Sequence, residues 1–157
     1  MNRLYHYEFV VPPEAVDGNG HVNNVAYVQW MQDVAIAHAT SVGCTAETRA
    51  LGATWVARSH QIIYLRPAFA GDRIRLTTWV TSLRKARSTR EYKFLRPSDG
   101  TVLATGATDW VFVDAITHRP RTIPASVSGC FELVTAAEQL SADPLPQALS
   151  EPEIEQR

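Results

Sequence analysis

The sequence has little of what several classes of protein depend on. Its 157 residues include two cysteines, Cys44 and Cys130, which form neither a metal-ligand spacing nor a disulfide framework. No stretch reaches the ~20 consecutive apolar residues of a membrane-spanning helix. The first residues also lack the apolar run of a signal peptide. We therefore expect a cytoplasmic protein that has no metal site and does not sit in a membrane.

The chain also has almost no excess of one charge. Lys and Arg number 15 and Asp and Glu 16, so the net charge is -1. Such a balance does not indicate nucleic acid or an anionic membrane as a partner. Apolar residues make up 45% and charged residues 20%, which is ordinary for a globular domain. We predict one domain over residues 1–135, followed by an acidic, proline-containing C-terminal tail over residues 136–157.

Five segments have the alternation or the β-branched and aromatic content of strands. They are residues 5–11, 54–65, 72–83, 88–95 and 101–113. The last three are joined by short links, and Ser98-Asp99-Gly100 is typical of a tight turn. Short links predict an antiparallel meander. The segment 101–113 is long and mostly apolar, so we expect it to be central in the sheet.

One segment is typical of a long helix. From Asn24 to about Val42 it contains no proline or glycine, and Gly43 is placed to end it. Asn23 or Asn24 can cap its start. Asp33 is its only formal charge, and a helix apolar on nearly every side must be covered on most of its surface. The simplest fold is α+β: a curved antiparallel sheet of about five to six strands wrapped around one long buried helix.

The stretch from Asp17 to Tyr27, between the first strand and the helix, holds groups suited to acyl transfer. It contains a carboxylate, an imidazole and three amides, and it leads into a helix N-terminus that favours negative charge. Asp17 can act as a general base or a nucleophile. Backbone N–H groups near Asn23 or Asn24 can form an oxyanion hole. Because Asp17-Gly18 is also an ordinary turn dipeptide, the pattern alone leaves a plain loop open.

The same stretch resembles the Asp-x-Asn-x-His-Val-Asn-Asn-x-x-Tyr motif of plant-type acyl-ACP thioesterases. More broadly, the chain resembles the 4-hydroxybenzoyl-CoA thioesterase family of hotdog proteins. The resemblance continues at Tyr64 to Ala68 and from Trp110 to Pro124, and it covers about residues 5 to 133. The positions of the motif in register are Asp17, Asn19, His21, Val22, Asn23, Asn24, Tyr27 and Trp30.

The resemblance implies a hotdog thioesterase that hydrolyses acyl-CoA or acyl-ACP to free acid and thiol. Asp17 would be the general base or nucleophile, and the N–H of Asn24 would be the oxyanion donor. Asn19 and His21 would match residues assigned to catalysis or positioning. The resemblance implies no cofactor apart from the CoA or phosphopantetheine of the substrate.

It also implies that Asn23 and Tyr27 contact the substrate. The plant-type enzymes place a further glutamate in the site, whereas the matching region of this sequence reads Arg66-Pro67-Ala68. A mechanism that needs this second carboxylate is therefore not expected.

A basic cluster lies around the link between the third and fourth predicted strands. Arg84, Lys85, Arg87 and Arg90 suit the phosphates of CoA, and Ser88 can add a hydroxyl contact. A solvated hairpin is the alternative, because charged side chains are mostly exposed. Asp109, in the fifth predicted strand, needs a partner if it is buried, so it is either paired or close to the site.

Two other functions stay open. One is a hotdog hydratase or dehydratase, although the sequence has neither the His-Phe-Pro run nor the Asn-Pro-x-His run usual in those enzymes. The other is a non-catalytic module that binds acyl thioesters. A single sheet around one helix leaves an edge strand exposed, and pairing with a second copy covers it. We therefore expect a homodimer, with a tetramer formed as a dimer of dimers as the larger alternative.

Overall fold

A computed structural model describes residues 3–135, and the predicted tail over residues 136–157 lies outside the described residues. Five strands and a long helix are present within this range. The elements are β1 (Tyr5–Val10), a short 3-10 helix (Pro13–Ala15), α1 (Asn24–Ser41), α2 (Cys44–Ala50), β2 (Ala53–Tyr64), β3 (Arg73–Arg84), β4 (Arg87–Arg96), β5 (Thr101–Asp114) and α3 (Ala125–Ser128).

All strand pairs of the sheet are antiparallel, in the order β1-β3-β4-β5-β2. The five strands and the β3-β4-β5 meander confirm the prediction. The expectation that β5 is central is wrong, because the middle position belongs to β4. β5 pairs with β4 on one side and β2 on the other, so its apolar length reflects an interior strand that is second from the edge.

The pleat of β4 separates two kinds of residue. Ser88, Arg90, Tyr92 and Phe94 are buried on the face toward the helix, and the residues between them are only half-buried. Successive side chains of a strand point to opposite faces of a sheet. Ser88 is therefore on the inner face, while its neighbour Arg87 is on the outer face.

Both ends of α1 follow from the sequence. Asn23 is the N-cap, and its Oδ1 accepts a hydrogen bond from the N–H of Ala26 at 2.8 Å. The helix ends before Gly43, whose φ of 83° is the left-handed conformation that glycine adopts without strain. The helix α2 follows at once and was not predicted, because seven residues are too few to display a helical period.

Residues 3–135 pack against one side of α1 and leave its other side exposed. Tyr27, Met31 and His38 are among its buried residues. On the other side, Val25 is 77% exposed and Ile36 is 54% exposed. The further cover that the apolar composition predicts is therefore not supplied by residues 3–135 of the same chain. None of the helices in this range is long and apolar enough to cross a membrane.

Candidate active site

The loop between β1 and α1 is closed by its own backbone. The N–H of Asp17 donates to the carbonyl of His21 at 2.7 Å, and the N–H of Gly20 donates to the carbonyl of Asp17 at 3.0 Å. Gly20 has a φ of 79°, which a side chain would strain. Asp17, Asn19 and His21, which were predicted as catalytic, are thereby brought together in one exposed turn.

The carboxylate of Asp17 has one oxygen engaged by this turn. Oδ1 accepts hydrogen bonds from the N–H of Asn19 at 2.8 Å and of His21 at 3.2 Å. Over residues 3–135, no partner is recorded for Oδ2. The turn thus fixes the orientation of the carboxylate and leaves its second oxygen to water or a ligand.

The loop is tied to the segment between β2 and β3. The N–H of Val22 donates to the carbonyl of Ala68 at 2.9 Å. The ring of His21 meets the ring of Phe69 edge-on, with centroids 5.2 Å apart. These contacts hold His21 beside Asp17 without burying either side chain.

The backbone at the start of α1 has a donor that the helix itself does not use. The N–H of Asn23 donates to the carbonyl of Ala15 at 2.8 Å, and the side chain of Asn23 caps Ala26. No acceptor is recorded for the N–H of Asn24 in the described part of the chain, as is usual for the first helical residue. The side chain of Asn23 therefore has a capping role, and the N–H predicted as oxyanion donor is unpaired.

Tyr27 lies in the core. It is 3% exposed, and its ring meets those of Tyr64 and Phe94 edge-on, with centroids 5.2 and 5.0 Å away. Burial raises the pKa of its hydroxyl to about 12. The structure gives Tyr27 a packing role, and its predicted contact with substrate stays a prediction.

The predicted phosphate cluster is divided between the two faces of the sheet. Arg84, Lys85 and Arg87 line a depression of about 520 Å³ together with Asp109. Asp109 forms an ion pair with Arg87, which is one of the two situations expected for it. Ser88 faces the helix instead, because adjacent residues of a strand point in opposite directions. Across residues 3–135, no hydrogen bond or ring contact joins this cluster to the Asp17 loop.

A cavity of about 320 Å³, not predicted from the sequence, lies between α1, α2 and the inner face of the sheet. Ser88 and Arg90 of β4 are among the residues that line it. Arg90 was predicted as part of the basic cluster at the β3–β4 link, but it is 4% exposed and lies on the inner face of β4 with Tyr92 and Phe94. The alternation of β4 could have identified this burial, since Arg90 is separated from Tyr92 and Phe94 by even numbers of positions and therefore lies on the same face of the strand.

Arg90 is held by neutral groups. Its Nη1 donates to Nδ1 of His38 at 2.8 Å and to Oγ1 of Thr78 at 3.1 Å, and its guanidinium lies 5.4 Å from the ring centre of Phe131. Burial and the nearby Arg90 charge lower the pKa of His38 to about 4. Burial lowers the pKa of Arg90 to about 10. At neutral pH the pair is thus a neutral imidazole and a cation.

A family model described as the thioesterase-like superfamily matches residues 11–131 of the sequence. The chain belongs to this superfamily. The match includes the Asp17 loop, α1 and all of β2 to β5, so the closed loop and the helix start described above are part of the matched region. Among residues 3–135 of this thioesterase-like protein, no group of three or more His, Cys, Asp or Glu side chains could hold a metal ion.

A curated relative of this thioesterase-like chain is the chloroplastic palmitoyl-acyl carrier protein thioesterase of Gossypium hirsutum. The two are 29% identical over 111 residues, which cover 65% of this chain and 26% of the relative. The chain therefore spans about a quarter of the length of that enzyme.

The fold is similar to that of many solved structures, and two of them serve as examples. One is a Staphylococcus aureus protein in complex with CoA, with a TM-score of 0.76, 23% identity and coverage of 87% of this chain and 91% of that one. The other is the 1,4-dihydroxy-2-naphthoyl-CoA thioesterase of Synechocystis, with a TM-score of 0.72, 19% identity and coverage of 81% and 94%. These structural similarities confirm the predicted hotdog fold.

Proposed function

We propose that the protein hydrolyses acyl thioesters of CoA or of acyl carrier protein to a free acid and a thiol. The observation that carries the proposal is the Asp17 carboxylate, which the closed loop orients through Oδ1 while Oδ2 is left without a recorded partner in residues 3–135. Superfamily membership supports it, as does similarity to thioesterases named for carrier-protein and for CoA substrates.

In the proposed reaction, Oδ2 of Asp17 either removes a proton from the attacking water or attacks the thioester carbonyl itself. The N–H of Asn24 stabilises the oxyanion, and the thiolate leaves as the carbon–sulfur bond breaks and takes up the proton that comes from water. In the nucleophilic route, water then hydrolyses the acyl-Asp17 anhydride, which releases the free acid and regenerates the carboxylate. Asn19 and His21 position the water or the substrate beside Asp17. The segment Arg66-Pro67-Ala68 supplies no second carboxylate.

The test is thiol release from a panel of aliphatic and aromatic acyl-CoAs and acyl-ACPs by wild type and Asp17→Asn. Asparagine keeps an Oδ1 that accepts from the loop N–H groups, so the turn is retained while the base or nucleophile is lost. We expect the rate to fall ~1000-fold or more. Asp33→Asn is the matched control, since Asp33 is an exposed carboxylate on α1 bonded to Gln29.

Each alternative has its own result in this assay. Thiol release that is equal in wild type and Asp17→Asn would remove Asp17 from the chemistry. Consumption of an enoyl thioester without thiol release would favour the hydratase or dehydratase. Binding of acyl thioesters without turnover, unchanged by Asp17→Asn, would favour the binding module.

The partner we propose besides the thioester is a second copy of the chain. β2 is an edge strand, and Val56, Ile63 and Tyr64 on it are 46%, 52% and 46% exposed. Antiparallel pairing of two β2 strands would give hydrogen-bond partners to the free backbone N–H and C=O groups of this edge. It would also bring together the exposed sides of the two α1 helices. A tetramer built from two such dimers and a cytoplasmic location stay predictions.

A further inference from the structure

The cavity beside α1 has a positive interior. Arg90, which is 4% exposed, and Arg49 line it, whereas no Asp or Glu lines it among the described residues. Its remaining wall is largely apolar, with Ile36, Trp55 and Phe131 among the contributors. A concave, largely apolar site with a few charged or polar groups is typical of a small-ligand site.

One edge of the Arg90 guanidinium is not used by the protein. Nη1 donates hydrogen bonds to His38 and Thr78, and within residues 3–135 no acceptor is recorded for Nε or Nη2. Nε and Nη2 form the side-on fork of a guanidinium, which matches the two oxygens of a carboxylate. The contacts of Arg90 therefore present this fork, and not a single N–H, for a ligand.

The charge of Arg90 is uncompensated in the described chain. His38 accepts its hydrogen bond as a neutral ring, since its pKa is lowered to about 4, while Arg90 stays charged at neutral pH. A buried cation without an anion is costly, and an anionic group of a ligand would offset that cost. Ser88, 6% exposed and two positions away on the same face of β4, adds a hydroxyl to the cavity.

We infer that this cavity receives the far end of the acyl group and that Arg90 binds a carboxylate there, so that the substrates are thioesters of dicarboxylic acids. The inference rests on the proposed function and names its substrate class. A cavity of about 320 Å³ is at the small end of ligand sites, which favours short acyl groups.

The position of the cavity determines which copy of the chain holds the thioester whose acyl end enters it. Asn24 and His38 are about 21 Å apart along α1 at ~1.5 Å per residue, so the cavity and the Asp17 loop of one chain lie at opposite ends of the helix. In a two-fold dimer formed through β2 the two helices run antiparallel. The Asp17 loop of the second copy then lies toward this cavity and holds the thioester whose acyl end reaches Arg90.

The experiment compares kcat/KM for adipoyl-CoA with that for hexanoyl-CoA, and for suberoyl-CoA with that for octanoyl-CoA. Wild type should prefer the carboxylated member of each pair at least ~10-fold, the scale of a hydrogen-bonded charge pair. In Arg90→Met this ratio should fall to about one, and Arg90→Lys, which keeps the charge but not the fork, should lie between. Arg119→Met, an exposed arginine beyond β5, should keep the wild-type ratio.

A second measurement does not depend on turnover or on a buried variant. Trp55 and Trp110 line the cavity, so adipate binding should change the tryptophan fluorescence of wild type at concentrations where hexanamide, which has no carboxylate, does not. Hydrolysis of hexanoyl-CoA without a preference for adipoyl-CoA, or a preference that survives in Arg90→Met, would overturn the inference and leave the proposed function intact. If no thioester is cleaved, the proposed function fails, and adipate binding alone then decides the inference: selective binding upholds the carboxylate site, and its lack overturns it.

Discussion

The guanidinium of Arg90 and the imidazole of His38 are joined by a hydrogen bond of 2.8 Å from Nη1 to Nδ1. The exposed fractions of the two residues are 4% and 3%. Since Nδ1 is the acceptor, protonating the ring would remove the bond and place two cations in contact. Burial, together with the Arg90 charge, accordingly lowers the pKa of His38 from 6.5 to about 4.

This lowered pKa makes stability depend on pH in a definite direction. The unfolded chain takes up the proton near pH 6.5 and the folded chain only near pH 4, so the contribution of His38 is complete above about pH 6.5 and is lost as the pH falls toward 4. Compared with His38→Asn, wild type should lose about 2 kcal/mol more free energy of unfolding between pH 7 and pH 4.5. Urea denaturation at a series of pH values measures this difference.

Asparagine keeps a short acceptor for Arg90 but does not titrate, so His38→Asn isolates the protonation of the ring. His118→Asn is the matched control: His118 is exposed, and asparagine tolerates its φ of 59°. The control should follow the wild-type profile. Parallel pH profiles for wild type and His38→Asn would contradict the assignment of His38 as the buried neutral acceptor.

Local features of the fold could be predicted from the sequence. Asn23 and Gly43 mark the two ends of α1 because a cap and a left-handed glycine act on adjacent backbone. The alternation in β4 gives the inner face for the same reason, since a strand has a period of two. The Asp17 loop is also local: its closing bonds join residues at most four positions apart.

The alternation of β4 indicates that Arg90 is on the inner face, but its partner His38 and the cavity around it could not be predicted from local pattern. Arginine is mostly exposed in proteins, and its acceptor His38 is 52 positions away on another element. The helix α2, which forms part of the cavity wall, is too short to show a period. Only tertiary packing brings these groups together, so the cavity becomes visible once the fold is known.

The backbone donor at the start of α1 can be removed without losing the helix. Asn24 is the first helical residue, where proline is well tolerated, and Asn23 has the extended conformation that a residue before proline prefers, with φ -76° and ψ 157°. Asn24→Pro deletes the N–H together with the Asn24 side chain. If this N–H is the oxyanion donor, kcat should fall ~100-fold or more.

Asn24→Ala is the matched control for this deletion. It removes the exposed side chain and keeps the N–H, so it should retain most of the activity. Circular dichroism and thermal unfolding establish that both variants fold. Equal activity of Asn24→Pro and Asn24→Ala would assign the oxyanion donor to another group.

The exposed basic side chains at the β3–β4 link should bind the phosphates of the nucleotide part of CoA. Arg84→Gln with Lys85→Asn removes two charges, and asparagine tolerates the φ of 57° at Lys85. We expect KM for acyl-CoA to rise about 10-fold at low salt with kcat nearly unchanged, because the phosphates are bound equally in ground and transition states. Initial rates at low and high salt measure the effect.

The corresponding acyl-pantetheine thioester is the control substrate, since it lacks the nucleotide phosphates. Its KM should be the same for wild type and the double variant. Arg87 is left intact because it is paired with Asp109, and removing it would leave that carboxylate without its partner. A salt-independent KM that the double variant does not change would show that this cluster is a solvated hairpin.

The exposed edge of β2 gives a test of assembly that is independent of substrate. Ile63 is 52% exposed on this strand, and lysine there would place a charge in the proposed β2–β2 contact. We expect Ile63→Lys to shift the mass measured by light scattering after gel filtration from dimer to monomer. It should also remove the preference for adipoyl-CoA over hexanoyl-CoA, because the Asp17 loop and the Arg90 cavity that serve one thioester then belong to separate molecules. Ile116→Lys is the matched control, because Ile116 is 90% exposed in the turn after β5, away from this edge. A monomeric wild type that cleaves thioesters would require a complete active site in one chain, and the approach of a second Asp17 loop to the Arg90 cavity would then be wrong.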